Sequence, residues 1–270
     1  YFTSVSWQWV KGGKNAPVLE WVKPHRPPGE DRIALAAPQV SPANTFFQDR
    51  IFMEIKGGVS GTRYYYTDDG SVPDEHAQRY YQPLEIKASK EFKIKAFHDQ
   101  YNSSPTVTRS YYKIKELPAL DQVTLEMQPS PQYGGQGVAT LLDHQLGTGD
   151  ISDGTWIGFE GNDCVLTFQY NRPVVLSQLM VSCLNAPGRW ILPASSIEVY
   201  TSTDGHRFDY WDESTPESTS GEGNIMTRIE LTGRRERYLK VVIKNAGILP
   251  AGHPGAGKPA WLFVDEVVVE

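Results

Sequence analysis

Residues 164–170 read Cys164-Val165-Leu166-Thr167-Phe168-Gln169-Tyr170, and this alternation decides the fold class. Cys164, Leu166, Phe168 and Tyr170 share one phase, while Val165, Thr167 and Gln169 share the other. A period of two puts the first set on the core face of a β-strand and the mixed set on the opposite face. Working outward, strand-sized runs of β-branched and aromatic residues recur at 174–184, 196–202, 207–211, 226–231, 237–244 and 261–269, separated by Gly, Pro, Asn and Asp clusters. Helical periodicity is almost absent. The 24 glycines and 19 prolines are spread without a repeat, as in a chain with many turns. The expectation is an all-β protein.

Cys183 falls in phase with Leu179 and Val181, so both cysteines of the chain are predicted to face a core. If Asn171 to Pro173 closes a hairpin between 164–170 and 174–184, the two are offset along it. Buried free thiols are then expected, with a disulfide as the alternative.

At 270 residues the chain is long enough for two domains with a core each. A net charge of −6 excludes binding to nucleic acid through a basic stripe, and the cluster of Arg234, Arg235 and Arg237 is interrupted by Glu236. No run approaches the roughly 18 apolar residues that a membrane-spanning helix needs. The sequence opens at Tyr1 within an alternating, Trp-bearing run, which predicts that it is part of something longer. Residues 1–36 hold two strand-like runs, 1–10 and 18–22, and a Pro-rich linker at 24–31. Trp7, Trp9 and Trp21 lie in this segment and need a partner surface, either a neighbouring domain or a sugar.

Residues 37–116 form a second section. Ile51, Met53 and Ile55 alternate with Phe52 and Glu54, and Phe92, Ile94 and Ala96 alternate with Lys93 and Lys95, as in half-buried antiparallel strands. Between them Tyr66-Thr67-Asp68-Asp69-Gly70-Ser71-Val72-Pro73 is a strand entering a tight turn. This turn, Tyr81 and Pro83, the strand ending Lys95-Ala96-Phe97, and Ser104 with Val107 resemble the chitobiase/β-hexosaminidase C-terminal domain, also called an Fn3-associated repeat, over nearly the whole section. The resemblance implies an immunoglobulin-like β-sandwich. The extra Asp68 is expected only to lengthen the turn.

Residues 117–270 form the third section, with two-sheet jelly-roll proportions. The runs 152–161, Ile191-Leu192-Pro193, Tyr200-Thr201-Ser202-Thr203-Asp204-Gly205 and Trp261-Leu262-Phe263-Val264-Asp265-Glu266 together resemble a discoidin (coagulation factor V/VIII C-type) domain, the architecture of family 32 carbohydrate-binding modules. The loop His253-Pro254-Gly255-Ala256-Gly257 is similar to the version that ends bacterial family 20 glycoside hydrolases. These resemblances imply an immunoglobulin-like sandwich followed by a discoidin-type jelly roll, from the accessory region of a secreted bacterial glycoside hydrolase, extracellular or periplasmic. The implied partners are a glycan or an upstream catalytic domain.

Three adjacent acid pairs, Asp68-Asp69, Asp212-Glu213 and Asp265-Glu266, are the candidates for glycosidase chemistry, which needs two carboxylates across one bond. Two of the pairs sit at turns, where carboxylates cap backbone amides. In regular β-structure Asp265 and Glu266 point to opposite faces. The family 20 catalytic acids lie on a (β/α)₈ barrel, which needs helices absent here. No Gly-x-Ser-x-Gly elbow or zinc-helix spacing of histidines is present, so no catalytic residue is assigned.

Discoidin-type modules commonly hold a structural calcium, and the positions that resemble its ligands are Asp143, Asp153 and Glu266. Calcium needs six to eight oxygens, from carboxylates and loop carbonyls. Residues 146–151 look like an insertion between the two aspartates. For sugar, the candidate residues are Asn185 and Arg189 in the turn between Leu184 and Ile191, which corresponds roughly to the ligand loop of family 32 modules, with His253 before the last strand and Trp211 as a platform. Three functions compete: a carbohydrate-binding accessory module, a spacer buttressing an upstream domain, and an enzyme in its own right, for which no convergent constellation is found.

Overall fold

The computed structural model describes residues 32–217 and 221–270. The strand-like runs, the tryptophans and the linker expected within 1–36 lie outside these residues. The described chain is all-β, and its helical turns are three short 3₁₀ segments, Pro131–Tyr133, Gly137–Leu142 and Pro187–Arg189.

In the first module a sheet ordered Gln39–Ser41, Ile51–Lys56, Leu84–Ile86 faces a second ordered Phe46–Phe47, Val107–Lys113, Lys90–Phe97, Arg63–Thr67, Gln78–Arg79. The predicted alternation holds: Met53, Ile55, Phe92 and Ile94 join Phe47, Ile86 and Tyr111 in one core, while Phe52 stays exposed. In the Asp-Gly turn Gly70 takes φ +83°, a conformation a side chain would strain, and Asp69 Oδ1 accepts the Ser71 N–H at 3.0 Å. Asp68 does more than lengthen this turn, because its carboxylate receives Lys90 Nζ at 2.6 Å.

In the second module a four-stranded sheet, ordered Ile157–Glu160, Trp261–Val269, Gln178–Asn185, Gly223–Glu230, packs on a five-stranded sheet ordered Asp209–Ser214, Ile197–Ser202, Arg235–Ile243, Cys164–Val175, Leu120–Leu125. Every pairing within the two sheets is antiparallel. The core takes Cys164, Leu166, Phe168 and Tyr170 from one sheet and Leu179, Val181 and Cys183 from the other.

The expected hairpin at Asn171 to Pro173 is not formed. The strand runs on to Val175 through a register shift between Gln169 and Val174, and the chain then crosses to the opposite sheet at Gln178. Cys164 and Cys183 therefore approach from facing sheets. Both are free, buried thiols. Burial pushes the Cys183 thiol up to about 12 and holds Cys164 well above the ordinary thiol range, with the neighbouring Cys183 adding to it.

The modules share an apolar junction in which Phe46 and Ile114 meet Met180 and Val268, with Tyr112, Leu117, Leu146 and Met226 around them. The Thr45 N–H donates to His144 O at 3.1 Å, and Lys115 Nζ donates to Ser177 Oγ at 3.0 Å. Leu146, from the inserted segment, belongs to this junction.

Candidate functional site

Two places collect polar residues beneath or between loops. The first is the last strand. Leu262 and Val264 face the core, and so do Val267 and Val269, so the inward phase slips by one between them. The register carries the same slip, Ser182 pairing with Glu266 and Cys183 with Val264. Asp265 is thus the extra residue of a β-bulge, and both acids project to the outer side. The regular-strand expectation of opposite faces fails for that reason.

The acids do not open onto a cleft; they lie under the loop 143–147, with Asp265 0% and Glu266 1% exposed. Asp265 Oδ2 accepts the Gly147 N–H at 2.5 Å and Asn224 Nδ2 at 3.0 Å, and Glu266 Oε2 accepts the Gln145 N–H at 3.1 Å. Burial holds the Asp265 carboxyl up at about 7, and burial with Asp143 and Asp265 nearby raises Glu266 well above the carboxylate range. The other acid pairs are engaged locally: Asp69 with Ser71, Asp68 with Lys90, and Asp212 Oδ1 with the Glu213 N–H at 2.8 Å.

The ligands implied for calcium do not converge. Asp143 Oδ1 accepts the Gln145 N–H at 2.8 Å beside Glu266, whereas Asp153 caps its own turn through the Thr155 N–H at 2.9 Å and the Thr148 hydroxyl at 2.5 Å. Among the described residues no three His, Cys, Asp or Glu side chains are grouped to hold a metal ion. The loop also turns N–H groups of Gln145 and Gly147 toward the acids, where a cation would need oxygens. The residues present do not fit the implied ion.

The second place is built by several loops at one end of the jelly roll. Ala186 and Ile191 exchange backbone hydrogen bonds at 3.0 and 3.2 Å, which closes the turn Pro187-Gly188-Arg189-Trp190. Trp190 ends the 3₁₀ segment with φ +65°, one of two positive-φ residues other than glycine among those described, and its N–H bonds to Pro187 O. A bulky L-residue there costs on the order of 1–2 kcal/mol. The turn is held from both flanks. Trp261 N–H donates to Trp190 O at 2.9 Å, and His253 Nε2 donates to Pro187 O at 2.8 Å while its Nδ1 accepts the Gly255 N–H at 3.0 Å, a pattern only the neutral ring makes.

Gly255 lies so close to Trp190 that a Cβ there would come within 2.9 Å of Cε2. Lys258 Nζ stands 4.8 Å from the indole centroid. Arg189 Nη1 donates to Gly149 O at 3.1 Å, joining the 147–155 loop, and Asn185 Nδ2 donates to Gly221 O at 2.8 Å.

The structure therefore brings Asn185, Arg189 and His253 together, with different tasks. Asn185 is buried and His253 has both nitrogens engaged, so these two shape the loops, whereas Arg189 is exposed. Trp211 is elsewhere. It lies in Asp209–Ser214 of the five-stranded sheet, packed against the core with the Arg234 guanidinium 5.4 Å from its ring. Trp190, not singled out from sequence although it lies within the chosen turn, is the aromatic ring at this loop cluster, and Lys258, also not singled out, stands over it.

A family model described as Fn3 associated matches residues 53–111, within the first module. No curated protein matches. Among solved structures the chain is similar to the CBM32 of AlyQ in complex with 4,5-unsaturated mannuronic acid, at 13% identity and TM-score 0.39, covering 57% of this chain and 98% of that one. It is also similar to CpGH89CBM32-5 from Clostridium perfringens, in complex with GalNAc-beta-1,3-galactose, at 14% identity and TM-score 0.37, covering 55% and 93%. A third is a lectin binding domain of Lectinolysin complexed with Lewis b, at 13% identity and TM-score 0.38, covering 58% and 96%.

Proposed function

We propose that the chain is the non-catalytic, carbohydrate-binding accessory region of a secreted bacterial glycoside hydrolase, and that it holds sugar on the loop cluster around Trp190. The observation that carries this reading is the backbone of Trp190. An indole kept in a left-handed conformation, and fixed there by hydrogen bonds from two other segments, is a preorganised face of the kind that packs on the C–H patch of a sugar ring. Arg189 and Lys258 beside it supply donors for hydroxyls. A secreted parent of family 20 type, with a catalytic domain upstream of this chain, is supported by the sequence resemblance and by the Fn3-associated match.

The spacer reading has its own support in the apolar junction, which fixes one module on the other and would carry a sugar site at a set distance from an upstream domain. The two roles separate experimentally. In affinity electrophoresis against a panel of polysaccharides, Trp190→Ala is expected to lose retention at a melting temperature within a few degrees of the parent. Absence of retention of the parent on every glycan at millimolar concentration would leave the spacer role in its place.

A further inference from the structure

We propose that this site selects carboxylate-bearing sugars. The inference rests on the sugar-binding reading above and deepens it. Its basis is which polar groups the loops leave free around the indole. The neutral hydrogen-bonding side chains that converge there are already used: Asn185 Nδ2 is bonded to Gly221 O and Asn185 is buried, and His253 spends one ring nitrogen on Pro187 O and the other on the Gly255 N–H. Neither can turn to a ligand without releasing the loop it holds.

Among what remains are two cations, with the exposed Glu222 as an acid near the same turn. Arg189 is exposed and gives one N–H to Gly149 O, which steadies the guanidinium and leaves the rest of its fork outward. Lys258 is exposed with its ammonium 4.8 Å from the Trp190 centroid. Neither is in an ion pair among the described residues, which they share with most of the described lysines and arginines, whereas Arg63 pairs with Glu75 and Lys244 with Asp163. Two cations without an ion-pair partner among the described residues, Arg189 in the turn and Lys258 over the indole ring, match a ligand with an apolar ring face and a carboxylate at its edge. A planar guanidinium pairs with a carboxylate through two parallel bonds, and an ammonium adds a point charge. Glu222, whose Oε1 lies 3.4 Å from where a Gly188 Cβ would stand, is the acidic neighbour that opposes such a ligand.

The test titrates the whole 270-residue chain with an oligogalacturonide, with the same oligosaccharide after carboxyl reduction, and with a sialylated trisaccharide beside its neutral core. At least one acidic ligand is expected to bind about 10-fold more tightly than its neutral counterpart, the usual worth of a charge-assisted hydrogen bond. That preference should shrink as salt is raised. Arg189→Gln and Lys258→Gln should each remove most of it with an unchanged melting temperature, and Glu222→Gln should enlarge it. Which acidic ligand responds distinguishes a hexuronic from a nonulosonic acid. If acidic and neutral ligands bind alike, and Trp190→Ala alone abolishes binding, charge selection is overturned while sugar binding stands. If no ligand of either kind binds, both readings fall.

Discussion

Replacing Asp265 by Asn is the most informative perturbation of the second module. In the unfolded chain this carboxyl titrates near 3.8, while burial raises it to about 7 in the folded state. Below the lower value both states are protonated and the group contributes nothing. Between the two, the folded state keeps a proton that the unfolded chain has lost, so stability falls as pH rises across that window and levels off above about 7. A shift of this size corresponds to about 4 kcal/mol at most, at roughly 1.4 kcal/mol per pH unit. Asn at 265 retains an oxygen for the Gly147 N–H and cannot ionise. Urea denaturation of parent and variant from pH 4.5 to 8 should show curves that diverge with pH, the variant gaining relative stability by up to a few kcal/mol by neutral pH. Glu266, raised by burial and by Asp143 and Asp265 nearby, adds a downward slope from about 4.5 up to about 10 in both proteins, a smaller one in the variant because the Asp265 charge is gone. Carboxylates held low by hydrogen bonds, such as Asp204 at about 2, act only in the acid range and cancel in the difference. Parallel pH profiles, or a parent that gains stability on the variant as pH rises, would refute the reasoning.

Gly255→Ala puts a methyl 2.9 Å from Trp190 Cε2 and from Leu249 Cδ1, so it should cost about 1–3 kcal/mol and weaken glycan retention together, read by melting temperature and affinity electrophoresis. Met180→Ala opens the module junction, where Met180 is 2% exposed, and should cost about 2–5 kcal/mol in urea unfolding; a change under 0.5 kcal/mol, roughly a surface effect, would contradict a packed junction. Excess chelator should leave the melting temperature unchanged, because backbone N–H groups already satisfy one oxygen of each acid in the last strand. A drop of several degrees would place a cation there after all.

Alternation carried most of the fold, because a side chain's burial in a two-sheet sandwich follows its phase within one strand. Met53 against Phe52 and Leu166 against Thr167 are local facts that pairing only completes. The path after Tyr170 was not legible on the same grounds, since Asn171-Arg172-Pro173 suits a hairpin as well as an irregular strand. The choice is made by distant partners, Glu236 and Arg235 pairing with Val174 and Val175. The bulge did leave a trace: Leu262 and Val264 are even-numbered, Val267 and Val269 odd, but the run of three valines hides the slip. In the loop cluster the residue types were legible and their tasks were not. Whether His253 faces a ligand or staples a neighbouring turn depends on where Pro187 O lies, and no local pattern in the sequence specifies the positive φ of Trp190.

The two thiols that meet across the sandwich make the protein chemically quiet. A thiolate is the reactive form, and burial withholds it from both Cys164 and Cys183 at neutral pH. A cysteine introduced at exposed position 189 or 258 would then react alone with a maleimide dye, placing a single reporter on the rim of the loop cluster without first removing native cysteines. The same silence turns the native pair into a clock: the rate at which a small thiol reagent consumes them measures how often the core of the second module opens around them.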